Sequence, residues 1–191
     1  LLLPTTGLIM QTSSMSLSEY WGVITDPRVL ASYRVTILSA LAASLFNCLF
    51  GLLLAWVLVR YEFPGKRILD ALVDLPFALP TAVAGITLAT LYAENGQIGS
   101  VLAELGIKVA YTPLGIVVAM IFTSIPFVVR TVQPVLEEFS HDEEEAGMTL
   151  GASDRAVFWR IILPSLWPAL MVGTALSFTR SLGEFGAVIF I

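Results

Sequence analysis

Residues 145–151 read Glu-Ala-Gly-Met-Thr-Leu-Gly, and after nine further residues positions 161–164 read Ile-Ile-Leu-Pro. This stretch connects two uncharged runs, residues 109–129 and 161–179. At about 1.5 Å of helix rise per residue, each run covers roughly the 30 Å hydrocarbon core of a bilayer. The pattern therefore predicts a polar loop that joins two membrane-spanning helices.

The composition of the whole chain indicates a membrane protein. Hydrophobic residues make up 57% of it and charged residues only 13%, whereas about a quarter of a soluble domain is charged. Two more uncharged runs cover residues 35–59 and 75–93. The fold class predicted is an all-α membrane protein with a single transmembrane domain, residues 1–191.

The domain layout follows from these runs. The predicted spans are residues 1–10 (partial), 30–59, 73–93, 109–131 and 162–190, with the polar loop at 133–161. We expect the chain to be truncated at both ends, because it begins within an apolar run without an initiator Met and stops within another.

Basic residues set the orientation, since Lys and Arg in short loops mark the cytoplasmic side. They alternate three, one, three over the successive loops: Arg60, Lys66 and Arg67, then Lys108, then Arg130, Arg155 and Arg160. The sequence therefore predicts that loop 133–161 faces the cytoplasm. Seven of the fifteen acids lie in this loop, and no basic patch suited to nucleic acid is apparent.

The loop itself has the signals of two short helices around a corner. Ser140 and Glu143 have capping-box spacing, which predicts a helix start. Gly151 stands where a helix end requires positive φ, and Ser153 or Asp154 can cap a second helix. The acids in the first turn of the first helix also suit the positive end of its dipole.

The segment that opens the predicted span 73–93 contains Pro76, Pro80, Thr81 and Gly85. The prolines predict a kinked or interrupted helix. Broken backbone within a membrane persists where protein or a water-filled cavity satisfies the freed carbonyls. This favours a place on a translocation path, with helix packing as the alternative reason for the prolines.

Arg180 and Glu184 are four residues apart in or beside the last apolar stretch, so they can pair. Charged residues within a membrane usually face a bundle interior or an aqueous path. Two interpretations stay open: the residues organise a translocation path, or they form a structural ion pair.

Motifs for chemistry are lacking. Gly65-Lys66 is preceded by Arg60 where the phosphate-binding loop has its first glycine, so ATP hydrolysis is expected on another chain. Cys48 is the single cysteine and His141 the single histidine, and neither indicates a metal site. We predict no catalytic residue, no metal site and no cofactor bound by this chain.

The loop resembles the "EAA" signature of the membrane subunits of binding-protein-dependent ABC importers. Gly147 stands where that family usually has Ala. The residues in register are Glu145, Ala146, Gly151, Ile161, Leu163 and Pro164. The resemblance implies a coupling helix that docks into a cleft on an ATP-binding subunit, with Ala146 and Gly147 providing a thin face. The implied coupling residues are Glu144, Glu145, Ala146, Gly147, Leu150, Gly151, Ile161, Leu163 and Pro164.

Other stretches, residues 70–85 and 122–138, resemble the T-type permease subunit of sulfate/thiosulfate importers, and residues 177–187 resemble permeases for tetrahedral oxyanions. The resemblance implies a MetI-like helical bundle of six helices, of which this chain is a fragment, in a bacterial-type inner membrane. It also implies four partners: two ATP-binding subunits that carry ATP and Mg, a second permease subunit and an external binding protein. No nucleic-acid partner is expected.

Three alternatives stay open at this point. A molybdate or tungstate permease of the same family is the main rival for the substrate. An ion-coupled carrier or channel has only the pair of Arg180 and Glu184 in its favour. An intramembrane enzyme lacks identifiable catalytic residues.

Overall fold

The computed structural model describes residues 2–191, and the regular structure in that range is helical. The helices are α1 (Leu2–Ser13), α2 (Leu17–Ile24), α3 (Pro27–Arg60), α4 (Lys66–Ala78), α5 (Thr81–Tyr92), α6 (Gly99–Glu104), α7 (Pro113–Glu138), α8 (His141–Thr149), α9 (Asp154–Val157) and α10 (Leu163–Leu182), with a π-helical turn at Phe158–Ile162. The chain divides into two compact units, Leu1–Leu38 and Ser39–Ile191.

The first unit contains α1, α2 and the beginning of α3. Ser16 and Glu19 form a capping box at the start of α2, and the hydrogen bond from the Ser16 N–H to the carboxylate lowers the pKa of Glu19. The Asp26 carboxylate accepts from the Arg28 N–H at 2.8 Å, next to Pro27 at the first position of α3. Position 1 of the predicted partial span 1–10 lies outside the described residues.

Three helical stretches within residues 2–191 are long and apolar enough to cross a membrane: Pro27–Arg60, Pro113–Glu138 and Asp154–Leu182. The first covers the predicted span 30–59, and the second covers the predicted span 109–131 from residue 113 onward, because the helix begins at Pro113. The third ends at Leu182 and not at residue 190, because Gly183 ends the helix and residues 186–190 form turns. The predicted span 162–190 is therefore too long as a helix.

The predicted span 73–93 does not form one straight helix. Its residues belong to α4 and α5, whose axes turn through 117°. Pro80 is the N-cap residue of α5 and has no N–H to donate to the Pro76 carbonyl, so the helical hydrogen bonds cannot continue through this point. The interruption was expected from the prolines, but the start of α4 at Lys66 was not.

The core of the second unit lies among α3, α4, α7, the π-helical turn and α10. Small residues let these helices approach: the backbone at Gly51 faces Val128, and that at Gly173 lies against the backbone of Val128. Large apolar side chains such as Leu49 and Leu53 remain 69% and 55% exposed. A surface of this kind suits contact with lipid tails.

Arg130 fastens α4 to α7. Its guanidinium donates to both carboxylate oxygens of Asp74 at 2.7–2.8 Å, to the Asp70 carboxylate at 2.6 Å and to Gln133 Oε1 at 2.6 Å. It also donates to the Asp70 carbonyl at 2.9 Å. Since these bonds use all five guanidinium donors, Arg130 fixes the position of α4 in spite of the bend that follows.

The loop between α5 and α7 is closed by an ion pair between Lys108 Nζ and Glu94 Oε1 at 2.8 Å, on the surface. The hydrogen bond from Lys108 lowers the pKa of Glu94, and the same bond raises the pKa of Lys108. This loop and the loop that contains α8 lie at opposite ends of α7.

Candidate coupling site and translocation path

The corner after α8 is built by Gly151, which has φ +88°. Its N–H donates to the Met148 carbonyl at 2.9 Å, and the Ala152 N–H donates to the Gly147 carbonyl at 3.1 Å. These two bonds are those of a Schellman motif, in which a left-handed glycine ends a helix. The expected glycine corner is therefore confirmed.

Both short helices of the loop have serine caps. The Ser140 hydroxyl accepts from the Asp142 N–H at 3.2 Å, and the Ser153 hydroxyl accepts from the Ala156 N–H at 3.4 Å. The capping-box prediction for Ser140 and Glu143 is wrong in part. Among the described contacts, Glu143 is linked to Ser140 only by the bond from its N–H to the Ser140 carbonyl.

The face of α8 at Gly147 packs within the chain. A Cβ on Gly147 would lie 2.8 Å from Ile161 Cδ1 and 3.4 Å from Val157 Cγ2, and Gly147 is buried. Ala146 is exposed. The expectation that both small residues form a thin face for a partner is therefore corrected, because Gly147 receives the following helix of its own chain.

The remaining predicted coupling residues differ in exposure. Those exposed are Glu145, Ala146, Leu150, Gly151 and Pro164, and those half-buried are Glu144, Ile161 and Leu163. Leu150 is 90% exposed at the end of α8. Met148, two residues earlier, is 46% exposed, and neighbouring exposed apolar side chains are typical of an interaction surface.

Two arms that meet at Gly151 form an elbow: α8 is one arm, and α9 with the π-helical turn is the other. The π-helical turn joins this elbow to α10. The Leu163 N–H donates to the Phe158 carbonyl, five residues back. Pro164, at the start of α10, has no N–H for the carbonyl of Arg160, and its ring would collide with that carbonyl in a regular α-helix. A locally wider turn avoids the collision.

Arg60 connects α8 to the end of α3. Its Nη2 donates to the Glu144 carboxylate, and both side chains are largely buried, at 11% and 16% exposed. The guanidinium carbon lies 5.2 Å from the centre of the Trp56 ring, and the Phe158 ring meets Trp56 edge-on at 5.4 Å. The sequence does not predict this contact, because 84 residues separate Arg60 from Glu144 and no local pattern links them.

The predicted path residues divide into two groups. One lies near the bend between α4 and α5 (Pro76, Pro80 and Thr81), and the other lies around the end of α10 (Arg180 and Glu184). Thr81 begins α5 and touches Gly186, since a Cβ on Gly186 would lie 3.0 Å from the Thr81 Cβ. Arg180 Nη1 and Glu184 Oε2 form an ion pair at 2.5 Å. Residues 184–187 thus lead from the ion pair to the start of α5. Pro80 adjoins Thr81 at the bend, whereas Pro76 lies inside α4.

The carboxylate of Glu184 has a second partner. Its Oε1 accepts from the Ala187 N–H at 2.9 Å, and only 1% of its side chain is exposed. The Arg180 side chain is 29% exposed. In this single chain the pair therefore organises the turn that follows α10.

A buried polar cluster, which the sequence analysis did not identify, joins α3, α7 and α10. It consists of Asn47, Ser124, Ser177 and Ser181, each 0% exposed. Asn47 Nδ2 donates to Ser124 Oγ at 2.8 Å and to Ser177 Oγ at 3.1 Å. Ser177 and Ser181 each donate to Ser124 Oγ at 3.0 Å. The four-residue spacing of Ser177 and Ser181 could have indicated a shared face of α10, but no spacing indicates Asn47 or Ser124 as their partners.

Within the part of the chain that the structure describes, no group of three or more His, Cys, Asp or Glu side chains is placed to hold a metal ion. The loop that contains α8 and α9 consists instead of short helices with capped ends. The polar cluster consists of interhelical hydrogen bonds. Their geometry suits mechanical transmission between helices.

Comparison with known proteins gives a family and several relatives of the whole chain. The profile of the family described as "Binding-protein-dependent transport system inner membrane component" matches residues 47–191. Over all 191 residues the chain is 64% identical to the "Sulfate transport system permease protein CysT" of Salmonella typhimurium (strain LT2) and 65% identical to the protein of that name in Escherichia coli (strain K12), and it covers 69% of each. The protein of that name in Synechocystis sp. is 50% identical, with 67% of it covered.

Proposed function

We propose, given that this chain belongs to the family of binding-protein-dependent transport system inner membrane components, that it is a membrane-spanning permease of a sulfate importer. The observation that supports sulfate as the substrate is the identity of 64–65%, over the whole chain, with two proteins named as sulfate permeases. Thiosulfate is included as a second substrate because its size and charge are similar. The chain is a transporter subunit and performs no catalysis.

The proposal includes partners that supply energy and substrate. Two ATP-binding subunits bind ATP and Mg, a second permease subunit completes the passage, and an external binding protein delivers sulfate. The exposed surface of α8 that contains Glu145, Ala146 and Leu150 suits docking to an ATP-binding subunit. The half-buried residues Glu144, Ile161 and Leu163 transmit the displacement of that surface to the rest of the chain.

The location proposed is a bacterial-type inner membrane with the coupling loop in the cytoplasm. The family description names an inner membrane component, and three helical stretches suit a bilayer. Three basic residues flank the junction of α3 and α4, namely Arg60, Lys66 and Arg67, and Arg155 and Arg160 lie between α8 and α10. The connection between α5 and α7 has only Lys108, and this difference supports the orientation.

The mechanism proposed is alternating access. ATP binding draws the ATP-binding subunits together and displaces α8, and the turn at Gly151 passes the displacement to α10. The passage then opens to the outside and accepts the dianion from the binding protein. Hydrolysis reverses the movement. Since the binding protein captures the substrate, the passage itself requires only weak sites.

The translocation path proposed contains Pro76, Pro80, Thr81, Arg180 and Glu184. The bend of 117° between α4 and α5 supports it, because broken helices in membranes line cavities or protein interiors. Arg180 is 29% exposed and is the one basic residue in the C-terminal half of α10. A cation at this depth favours an anionic substrate.

Gly151→Pro tests the coupling. Proline holds φ near −65° and has no N–H, whereas Gly151 has φ +88° and donates to Met148. We expect sulfate uptake into cells that lack their own sulfate permease to fall at least about tenfold, while the external protein still binds sulfate. Gly106→Pro is the matched control, since Gly106 also has positive φ and donates to Ala103 but lies in the other loop.

Normal uptake in Gly151→Pro would contradict the proposed coupling. Competition of uptake by thiosulfate, molybdate and tungstate decides the substrate, and stronger inhibition by molybdate than by unlabelled sulfate would favour a molybdate permease. Uptake into vesicles without ATP and without ATP-binding subunits would support an ion-coupled carrier instead.

A further inference from the structure

The coupling helix α8 is connected to the following helices through the corner at Gly151. A second connection is formed by Arg60 and Trp56 at the end of α3. Arg60 is the last residue of α3 and pairs with Glu144 on α8. Trp56 lies one turn earlier on the same helix, with its ring 5.2 Å from the guanidinium carbon. The ring therefore limits the orientations of the Arg60 side chain even without the Glu144 carboxylate. This lowers the side-chain entropy that is lost when the ion pair forms.

The same tryptophan also contacts the other arm of the elbow. Phe158, the first residue of the π-helical turn, meets the Trp56 ring edge-on, with ring centroids 5.4 Å apart and an interplanar angle of 79°. Helix α3 thus contacts α8 through Arg60 and the π-helical turn that leads into α10 through Trp56. Both arms of the elbow rest on one helix.

The environment of the ion pair makes this connection stiff. The two side chains are 11% and 16% exposed, so water cannot easily replace one partner if the other moves away. The glycine corner, in contrast, is exposed at Gly151 and Ser153. A sideways displacement of α8 must therefore separate a largely buried ion pair or carry α3 with it.

We propose that Arg60, supported by Trp56, is a positioning residue that transmits displacement of α8 directly to α3, in parallel with the route through the glycine corner to α10. This inference rests on the proposed function, because an ATP-binding subunit supplies the displacement. The direct route moves two spanning helices together. It gives α3, which the coupling signature does not include, a defined place in the transport cycle.

The test uses Arg60→Glu, Glu144→Arg and the double exchange in the complete importer, reconstituted in liposomes with the ATP-binding subunits and the sulfate-loaded binding protein. The quantity measured is sulfate transported per ATP hydrolysed. We expect each single variant to remain bound to the ATP-binding subunits and to hydrolyse ATP, with transport per ATP lowered about fivefold or more. The double exchange should restore most of it.

Arg155→Glu is the matched control, because Arg155 is an exposed arginine in the same loop. It should leave transport per ATP unchanged. Trp56→Leu keeps an apolar side chain and removes the ring, so it should give a smaller loss than Arg60→Glu. This variant tests the connection without placing a reversed charge in the elbow.

A second readout follows the movement itself. Spin labels at Tyr61→Cys and Met148→Cys, with Cys48 replaced by Ser, report the distance between the end of α3 and α8. With Arg60 in place, we expect the same distance with and without ATP. In Arg60→Glu the distance should differ between the two states.

Four outcomes would overturn the inference: unchanged transport per ATP in both single variants, no recovery in the double exchange, loss of the ATP-binding subunits from either single variant, or a distance that changes with ATP while Arg60 is in place. The third would assign Glu144 to the docking surface. Failure of the unmodified chain to bind any ATP-binding subunit would instead overturn the proposed function.

Discussion

Gly85 on α5 lies directly against Ala187, since a Cβ on Gly85 would stand 2.8 Å from the Ala187 Cα. The contact joins backbone to backbone across 102 positions of sequence. The turn after α10 therefore packs on α5 without side chains between them. Ile191 continues the contact, because its carbonyl accepts from the Tyr111 N–H and its side chain lies close to Gly115.

Gly85→Val should disrupt this contact. Neither backbone can yield in the way that a flexible side chain does, so we expect destabilisation of about 1–3 kcal/mol and a lower thermal unfolding midpoint in detergent. The control is Gly22→Ala, where a Cβ has no heavy atom within 4 Å. An unfolding midpoint of Gly85→Val equal to that of the unmodified chain would contradict the observed packing.

Asn47→Ala should loosen the junction of α3, α7 and α10. The change removes the donor to Ser124 and Ser177, and we expect a loss of about 1–2 kcal/mol in the free energy of unfolding. Ser44→Ala is the control, because Ser44 is equally buried but donates only to the Leu41 carbonyl of its own helix. If both variants unfold at the same denaturant concentration, the interhelical bonds contribute nothing measurable.

Glu184→Gln and Glu184→Ala separate the two contacts of this carboxylate. Glutamine keeps an oxygen for the Ala187 N–H, whereas alanine leaves that buried donor without its partner. We expect the alanine variant to be less stable by about 1–3 kcal/mol, as measured by thermal unfolding. Equal midpoints for the two variants would show that the ion pair with Arg180 is the only contact that matters.

The Glu184→Gln variant also tests the two interpretations of Arg180. If the pair is structural, the double variant Arg180→Gln with Glu184→Gln should retain sulfate uptake, since two neutral amides can still bond to each other. If Arg180 attracts the dianion on the translocation path, uptake should fall about tenfold or more even where the protein remains folded. Uptake and unfolding measured on the same preparation separate the two.

Arg130→Lys should release α4 from α7. Lysine keeps the charge but cannot reach both oxygens of Asp74 and the two acceptors of Asp70 together. We expect about 1 kcal/mol of destabilisation, since the guanidinium is partly exposed, and faster amide exchange in α4. Arg67→Lys, at an exposed position of the same helix, is the control. Unchanged exchange rates in α4 would argue against the role of Arg130.

The errors of the sequence analysis have physical causes. Gly147 was expected to face a partner, because a motif shows that a residue is small but not which neighbour needs the space. Glu143 has the spacing of a capping box, but spacing cannot decide which rotamer the side chain adopts. The last span was predicted too long, because apolar turns and apolar helix have the same hydropathy, and only the turn at Gly183 ends the helix.

The sequence by itself determined the class of protein, the approximate positions of the membrane-spanning helices and the corner at Gly151. Each of these depends on local quantities: the hydropathy of a run, the missing N–H of a proline or the φ that a glycine permits. The tertiary structure alone decided the contacts of Arg60 with Glu144, of Asn47 with two other helices and of Gly85 with Ala187. These contacts join residues far apart in the chain, and they form only when helix packing brings together positions that no local pattern relates.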